Sequence, residues 1–171
     1  LIGSYERSLF PVIDQIIRHP YARVIDIGCA EGYYAVGLAR AMRATLVHAH
    51  DIDDRAQTAC RSLAAANGCL DRVIIGGRFS VADFAICTQA ETVVICDIEG
   101  AEEDLLDPGQ APGLTAADIT HVTYNDLAEL AAVISDNTCA VVMEPLFSHQ
   151  TLPSVVASRT TNLSLGERPV N

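Results

Sequence analysis

The run Val24-Ile25-Asp26-Ile27-Gly28-Cys29-Ala30-Glu31-Gly32-Tyr33-Tyr34-Ala35-Val36-Gly37-Leu38-Ala39 constrains the fold more than any other stretch of the chain. It opens with apolar β-branched residues, the composition of a short buried strand. It closes with small and apolar residues on one face of a helix. Between them lies a tight turn carrying Gly28 and Gly32. Strand, glycine turn and helix in this order form the first unit of a nucleotide-binding α/β fold. Glycine lets the backbone approach a ligand closely and adopt conformations closed to other residues. The helix start adds free N–H groups and the positive end of a dipole. A glycine-rich turn that holds no ligand has the same pattern.

The spacing narrows the ligand. A dinucleotide fingerprint, G-x-G-x-x-G, needs a glycine two residues after the first and another three residues later. Here Ala30 follows Gly28 at the first of those places and Gly32 comes next, so an NAD-dependent oxidoreductase is a weak alternative. Asp26-x-Gly28-x-Ala30-x-Gly32 instead resembles motif I of class I S-adenosylmethionine (SAM)-dependent methyltransferases, with Ala30 at the middle glycine. SAM has no pyrophosphate; its amino group and sulfonium both favour a nearby carboxylate.

Two later strand ends carry matching chemistry. Thr45 to Asp51 reads as the second strand, and Asp51 stands where nucleotide folds place an acid on the ribose hydroxyls. One carboxylate can accept from both hydroxyls. Ile52 follows, where an apolar side chain could pack on adenine. The competing reading of Asp51-Ile52-Asp53-Asp54 is a helix cap, a role suited to Asp53 or Asp54. His48 and His50 read as core or near-pocket residues. Thr92 to Asp97 is apolar on both faces, as a central parallel strand should be. It leads into Asp97-Ile98-Glu99-Gly100-Ala101-Glu102, a carboxylate cluster at a strand end where open α/β sheets bind ligands. Glu102 also falls in a first helical turn, where negative charge is favourable without any ligand.

Asp-Ile-Gly-Cys-Ala-Glu-Gly-Tyr-Tyr followed by Cys-Asp-Ile-Glu-Gly-Ala-Glu resembles the FkbM-type branch of class I methyltransferases, and the leading Gly3-Ser4-Tyr5-Glu6 resembles its entry segment. The resemblance covers roughly residues 3–118. It implies a Rossmann-like α/β fold, mostly parallel, with helices on both faces, and SAM as cofactor. It implies methyl transfer to a hydroxyl of a small molecule or sugar. By resemblance Asp26, Gly28 and Gly32 hold the methionine part of SAM, and Cys29, Ala30 and Glu31 of the same turn are cofactor-binding candidates beside them. Asp51 holds the ribose, and Asp97 and Glu99 lie at the methyl-transfer centre, Asp97 also as a cofactor-binding residue. His121 is an outside candidate for the base.

After Asp118 that resemblance ends. Residues 120–145 resemble an internal stretch of acetylornithine-type class III aminotransferases, Asn-Asp-Leu-Ala-x-Leu…Asn-Thr-Cys-Ala-Val-Val-Met-Glu-Pro. The stretch holds no Lys for a Schiff base. It can still continue the fold, with strands at 118–124 and 139–143 around a helix at 126–135. The expected organisation is a single domain: a SAM-binding core (1–118), an atypical strand-helix-strand completion (119–147) and a polar, loose tail (148–171). A SAM-binding but catalytically inactive or chimeric domain is therefore the second functional reading.

Composition excludes several other classes. A chain of 171 residues holds one domain with a real core. A net charge of −11 disfavours nucleic-acid backbones and anionic membrane surfaces. No apolar run reaches bilayer length. Glu6, Arg7 and Asp14 break the pattern of a signal peptide, and a chain beginning at Leu1 leaves a preceding segment open. Cys29, Cys60, Cys69, Cys87, Cys96 and Cys139 form no C-x-x-C pair and have no His at ligand spacing, so no metal site is expected. They read as reduced core residues of a cytoplasmic protein. The expected partner is a small-molecule or glycan acceptor; the oligomeric state is not encoded in any visible pattern.

Overall fold

The structure is a computed structural model. It describes residues 9–98, 100–107, 109–111, 114, 118–120 and 138–142. The entry segment 3–6, Glu99, His121, the helix expected at 126–135 and the tail from 148 lie outside the described residues.

In chain order the elements are α1 (Phe10–Arg18), β1 (Arg23–Ile27), α2 (Tyr33–Ala41), β2 (Leu46–His50), α3 (Asp54–Ala66), β3 (Val73–Gly76), a 3-10 helix (Val81–Gln89), β4 (Thr92–Cys96), α4 (Glu102–Leu105), β5 (Asp118–Thr120) and β6 (Thr138–Val142). All strand pairs are parallel, in the order β3-β2-β1-β4-β6-β5. The chain winds outward from β1 to β3, then crosses to β4 on the other side of β1. The carboxyl ends of β1 and β4 thus flank the topological switch point, where open α/β sheets leave a crevice. The register sets Asp26 beside Ala49 on β2 and Ile95 on β4.

Alternation along β1 and β4 divides the core into two layers. Val24, Val93 and Ile95 join the cluster under α1, α2 and α3, with Val12, Ile16, Leu38 and Cys60. Ile25, Ile27, Val94 and Cys96 join the cluster on the opposite face, with Phe79, Phe84, Leu106 and Leu114. Five consecutive buried residues in β4 confirm a strand covered on both sides.

Local chemistry sets the ends. Pro11 stands in the first turn of α1, where its missing N–H costs nothing. The Asp53 side chain caps α3 by accepting from Arg55 N–H at 2.8 Å. Asn67 and the left-handed Gly68 close that helix. On α3, Cys60 and Ala64 take the buried stripe and Ala59 is exposed.

Val81–Gln89 forms a 3-10 helix, opened by a capping box in which Ser80 and Asp83 bond each other. Val81, Cys87 and the fully buried Phe84 ring meet the second core cluster at three-residue spacing, the repeat of a 3-10 helix. That ring contributes about 2–3 kcal/mol of burial. The last two strands also depart from the doubly wound order 3-2-1-4-5-6. β6 takes the place beside β4, and β5 forms the edge.

Candidate functional site

Asp26 is the penultimate residue of β1, 3% exposed, and faces the layer under α2. α2 has no side-chain cap of its own at Gly32. Asp26 supplies an acceptor from below, taking a hydrogen bond from the Ala35 N–H in the first turn. Its Oδ2 is buried without a hydrogen-bond partner. Burial pushes the Asp26 carboxyl up to about 7; the Ala35 bond opposes that rise, and the nearby Asp97 and Asp51 carboxylates add to it.

Three residues of the turn hold left-handed backbone: Gly28 at φ +83°, Ala30 at +46° and Gly32 at +90°. At Gly28 a Cβ would fall 1.8 Å from the Asp97 carbonyl oxygen. At Gly32 it would fall 2.6 Å from Cys60 Sγ. The close approach expected of a ligand is therefore made, at both positions, by the protein itself. The β1 turn is pressed against the end of β4 on one side and against α3 on the other. Gly28 and Cys29 both donate their N–H to the His50 carbonyl, at 2.8 and 3.0 Å, which ties the turn to β2 as well.

Asp51, half-buried at the end of β2, is already engaged. Its Oδ2 accepts from Ala30 N–H and its Oδ1 from Asp53 N–H, each at 2.9 Å. A carboxylate has about four acceptor positions, so each oxygen retains capacity for a hydroxyl donor. Asp51 thus holds the turn in shape and presents a carboxylate beside it. Ile52 is 73% exposed, an apolar side chain left standing in solvent next to that carboxylate. Glu31 and Ala30 are exposed and Cys29 is buried.

Asp97 directly follows β4, half-buried, and donates its N–H to the Ile27 carbonyl at 2.9 Å. Asp26, Asp51 and Asp97 therefore converge on one turn. Glu102 does not join them. It is 4% exposed, and its two oxygens accept from Ile98 N–H at 2.7 Å and Gly100 N–H at 2.8 Å. It shapes the loop after β4 from inside, a role visible only once the loop is folded.

His50 packs edge-on against Phe79, with ring centroids 4.9 Å apart, and its Nδ1 lies 3.1 Å from the Gly77 carbonyl. A carbonyl only accepts, so Nδ1 carries the proton. Burial, then the Arg23 charge, holds His48 below the usual imidazole range. Both histidines are half-buried. Among the described residues no group of three or more His, Cys, Asp and Glu could hold a metal ion, and no helix is long and apolar enough to cross a membrane.

Comparison with solved structures gives the same architecture. The O-methyltransferase TomG from Streptomyces achromogenes, solved with SAM, superposes with a TM-score of 0.51 at 15% identity, over 69% of this chain and 54% of that one. An O-methyltransferase from Bacillus cereus, solved with S-adenosylhomocysteine (SAH), gives 0.50 at 15% identity, over 69% and 55%. The chain has the Rossmann-like fold of class I methyltransferases.

A second likeness concerns a short segment. Acetylornithine aminotransferase from Vibrio cholerae is 63% identical over 38 residues, 22% of this chain and 8% of that protein. A Pseudomonas aeruginosa succinylornithine transaminase/acetylornithine aminotransferase is 71% identical over 28 residues, 16% and 7%. The chain thus spans less than a tenth of the length of these curated relatives and about half that of the two solved structures. No protein-family model matches it.

Proposed function

We propose that the protein is a SAM-dependent methyltransferase of the FkbM type that methylates a hydroxyl of a small molecule or glycan. One observation carries the reading: a buried carboxylate oxygen of Asp26 without a partner, with two further carboxylates close by. Such a site is costly when empty and suits a cationic ligand. The amino group and sulfonium of SAM fit that demand; a pyrophosphate would be repelled.

Asp26 and the turn Gly28, Cys29, Ala30, Glu31 and Gly32 would hold the methionine end. Asp51 would accept from the ribose hydroxyls and Ile52 would cover the adenine. Asp97, with Glu99, would stand beside the acceptor. Bound SAM supplies an activated methyl group on sulfur. The chain's own part is to align the acceptor hydroxyl, exclude water and take its proton on a carboxylate. The eleven basic residues are all arginine, so nothing in these 171 residues could form a pyridoxal Schiff base. Free buried thiols suit a cytoplasmic setting.

A second reading, SAM binding without turnover, is favoured by the strand order. The place beside β4 belongs to β6 rather than to the next strand in sequence. Calorimetric titration with SAM, SAH and NAD separates the readings. SAM and SAH should bind and NAD should not; binding of NAD alone overturns both. Methyl transfer to hydroxylated acceptors then separates enzyme from binding domain. Binding should also be pH-dependent. Above about pH 7 Asp26 is ionised and ready for a cation; below it a proton must leave first. Affinity should fall by up to about tenfold per pH unit, with about one proton released per site. A flat profile from about pH 5 to 8 would remove Asp26 from the site.

A further inference from the structure

Helices α1, α2 and α3 enclose a cavity of about 400 Å³, a size that suits a small molecule. α1 lines it with Phe10, Ile13 and Ile17, which share one helix face, and α3 with Leu63. α2 forms the third wall with Tyr33, Gly37 and Arg40, each one turn beyond the last. Among the described residues Arg40 is the single charged residue of the lining.

Gly37 is the residue that packing leaves unexplained. It lies inside α2 with right-handed backbone, unlike Gly28 and Gly32. A Cβ built on it would meet no described atom within 4 Å. Neither a special conformation nor a close neighbour calls for glycine there. Inside a helix glycine is the least favourable residue after proline. What its missing side chain provides is depth, because Gly37 floors the cavity between the Tyr33 ring and the Arg40 guanidinium. From Tyr33 to Arg40 the helix rises by about 10 Å.

We propose that this cavity binds a monoanionic amphiphile, an apolar body about 10 Å long that carries one carboxylate. The body lies over Gly37, against the apolar side chains of α1 and α3. The carboxylate pairs with Arg40, whose guanidinium can give it two parallel N–H bonds. Among the described residues no ion pair engages Arg40. A cation in the last turn of a helix suits the dipole by itself, so the charge alone marks nothing. Joined to the opening at Gly37, it gives the site an apolar end and a charged end. Charge complementarity selects the anion: in a chain of net charge −11, Arg40 stands at the end of α2 remote from Asp26, Asp51 and Asp97. Phe10, 37% exposed at the rim, would be covered as the site fills. The proposal is independent of the SAM reading above.

The test is methyl NMR of the full chain titrated with octanoate, with 1-octanol as the neutral probe. Shifts at Ile13, Ile17 and Leu63 should saturate at one octanoate per chain, with a midpoint below about 1 mM. Ile25 and Ile27, on the other face of the sheet, should stay still. Arg40→Gln should weaken octanoate at least about tenfold and leave octanol unchanged. Gly37→Met should abolish binding of both probes and Gly37→Ala should weaken it, in proteins that melt no lower than wild type. Shifts that do not saturate, or that spread evenly over both faces, overturn the site. Octanol binding as tightly as octanoate overturns the choice of an anion. Nuclear Overhauser contacts to Ile13 and Ile17 from residues 1–8, or from a second copy in a mixed-label sample, that octanoate fails to displace would show that the protein fills the cavity itself and would also overturn the proposal.

Discussion

Two carboxylates, Asp26 near the end of β1 and Glu102 at the start of α4 beyond β4, have nearly the same burial, 3% and 4% exposed. Their surroundings are opposite. Glu102 accepts a backbone N–H on each oxygen and closes the loop after β4. Asp26 has the Ala35 N–H and a bare Oδ2, in the field of Asp51 and Asp97. Buried acids of this kind separate into structural and ligand-seeking by satisfaction rather than by depth. The first is complete in the free protein. The second carries a cost that only a cation or a proton relieves.

The comparison can be broken most directly at Asp26. Asp26→Asn should weaken SAM binding by at least about 100-fold, roughly 2.7 kcal/mol. The same change should raise the stability of the free protein. Asp26 has a folded pKa above its unfolded value, so its stabilising contribution is present at low pH and is lost as pH rises from about 4 to about 7. The gain should therefore be roughly 2–4 kcal/mol at about pH 8 and small near pH 4. Calorimetric unfolding at the two pH values checks it. Loss of stability at about pH 8 would contradict the view of Asp26 as a destabilising, functional acid.

Glu102→Ala should do the reverse. It strands the Ile98 and Gly100 N–H groups at about 1–3 kcal/mol each, so stability should fall by about 2–4 kcal/mol in denaturant titration. A variant as stable as wild type would show that the loop does not depend on its internal carboxylate.

Asp51 stands between the two cases, part brace and part ligand. Asp51→Asn keeps one acceptor and should cost roughly tenfold in SAM affinity, about 1.4 kcal/mol. Unchanged affinity would leave Asp51 as a brace only. The smallest effect belongs to Ala30. At φ +46° it pays a left-handed backbone penalty that glycine avoids. Ala30→Gly should stabilise the protein by up to about 1 kcal/mol, read as a higher melting temperature.

Much of this was legible in residues alone. β2 and β4 form within one residue of the limits 45–51 and 92–97 that the strand pattern gives. Asp26, Asp51 and Asp97 reach one turn because parallel strands in a doubly wound sheet align their carboxyl ends. What was not legible depends on three-dimensional partners. Gly28 and Gly32 are glycine because Asp97 and Cys60 occupy the space of a side chain, not because a ligand does. Glu102 looks like one more acid of a cluster until its two N–H partners fold around it. Nothing in the strand pattern of 118–143 tells which strand stands beside β4, since parallel apolar strands carry little register information.

That strand order has a consequence in time. β4 is complete at Cys96, yet the strand that covers its outer edge begins only at Thr138. While the chain emerges from the ribosome, β4 can pair with β1 and present its other side, five residues buried in the finished fold, as an open template. A strand buried along its whole length in the native sheet is thus exposed along one edge during biosynthesis. A short segment supplied late in the chain is what converts it from an edge into a centre.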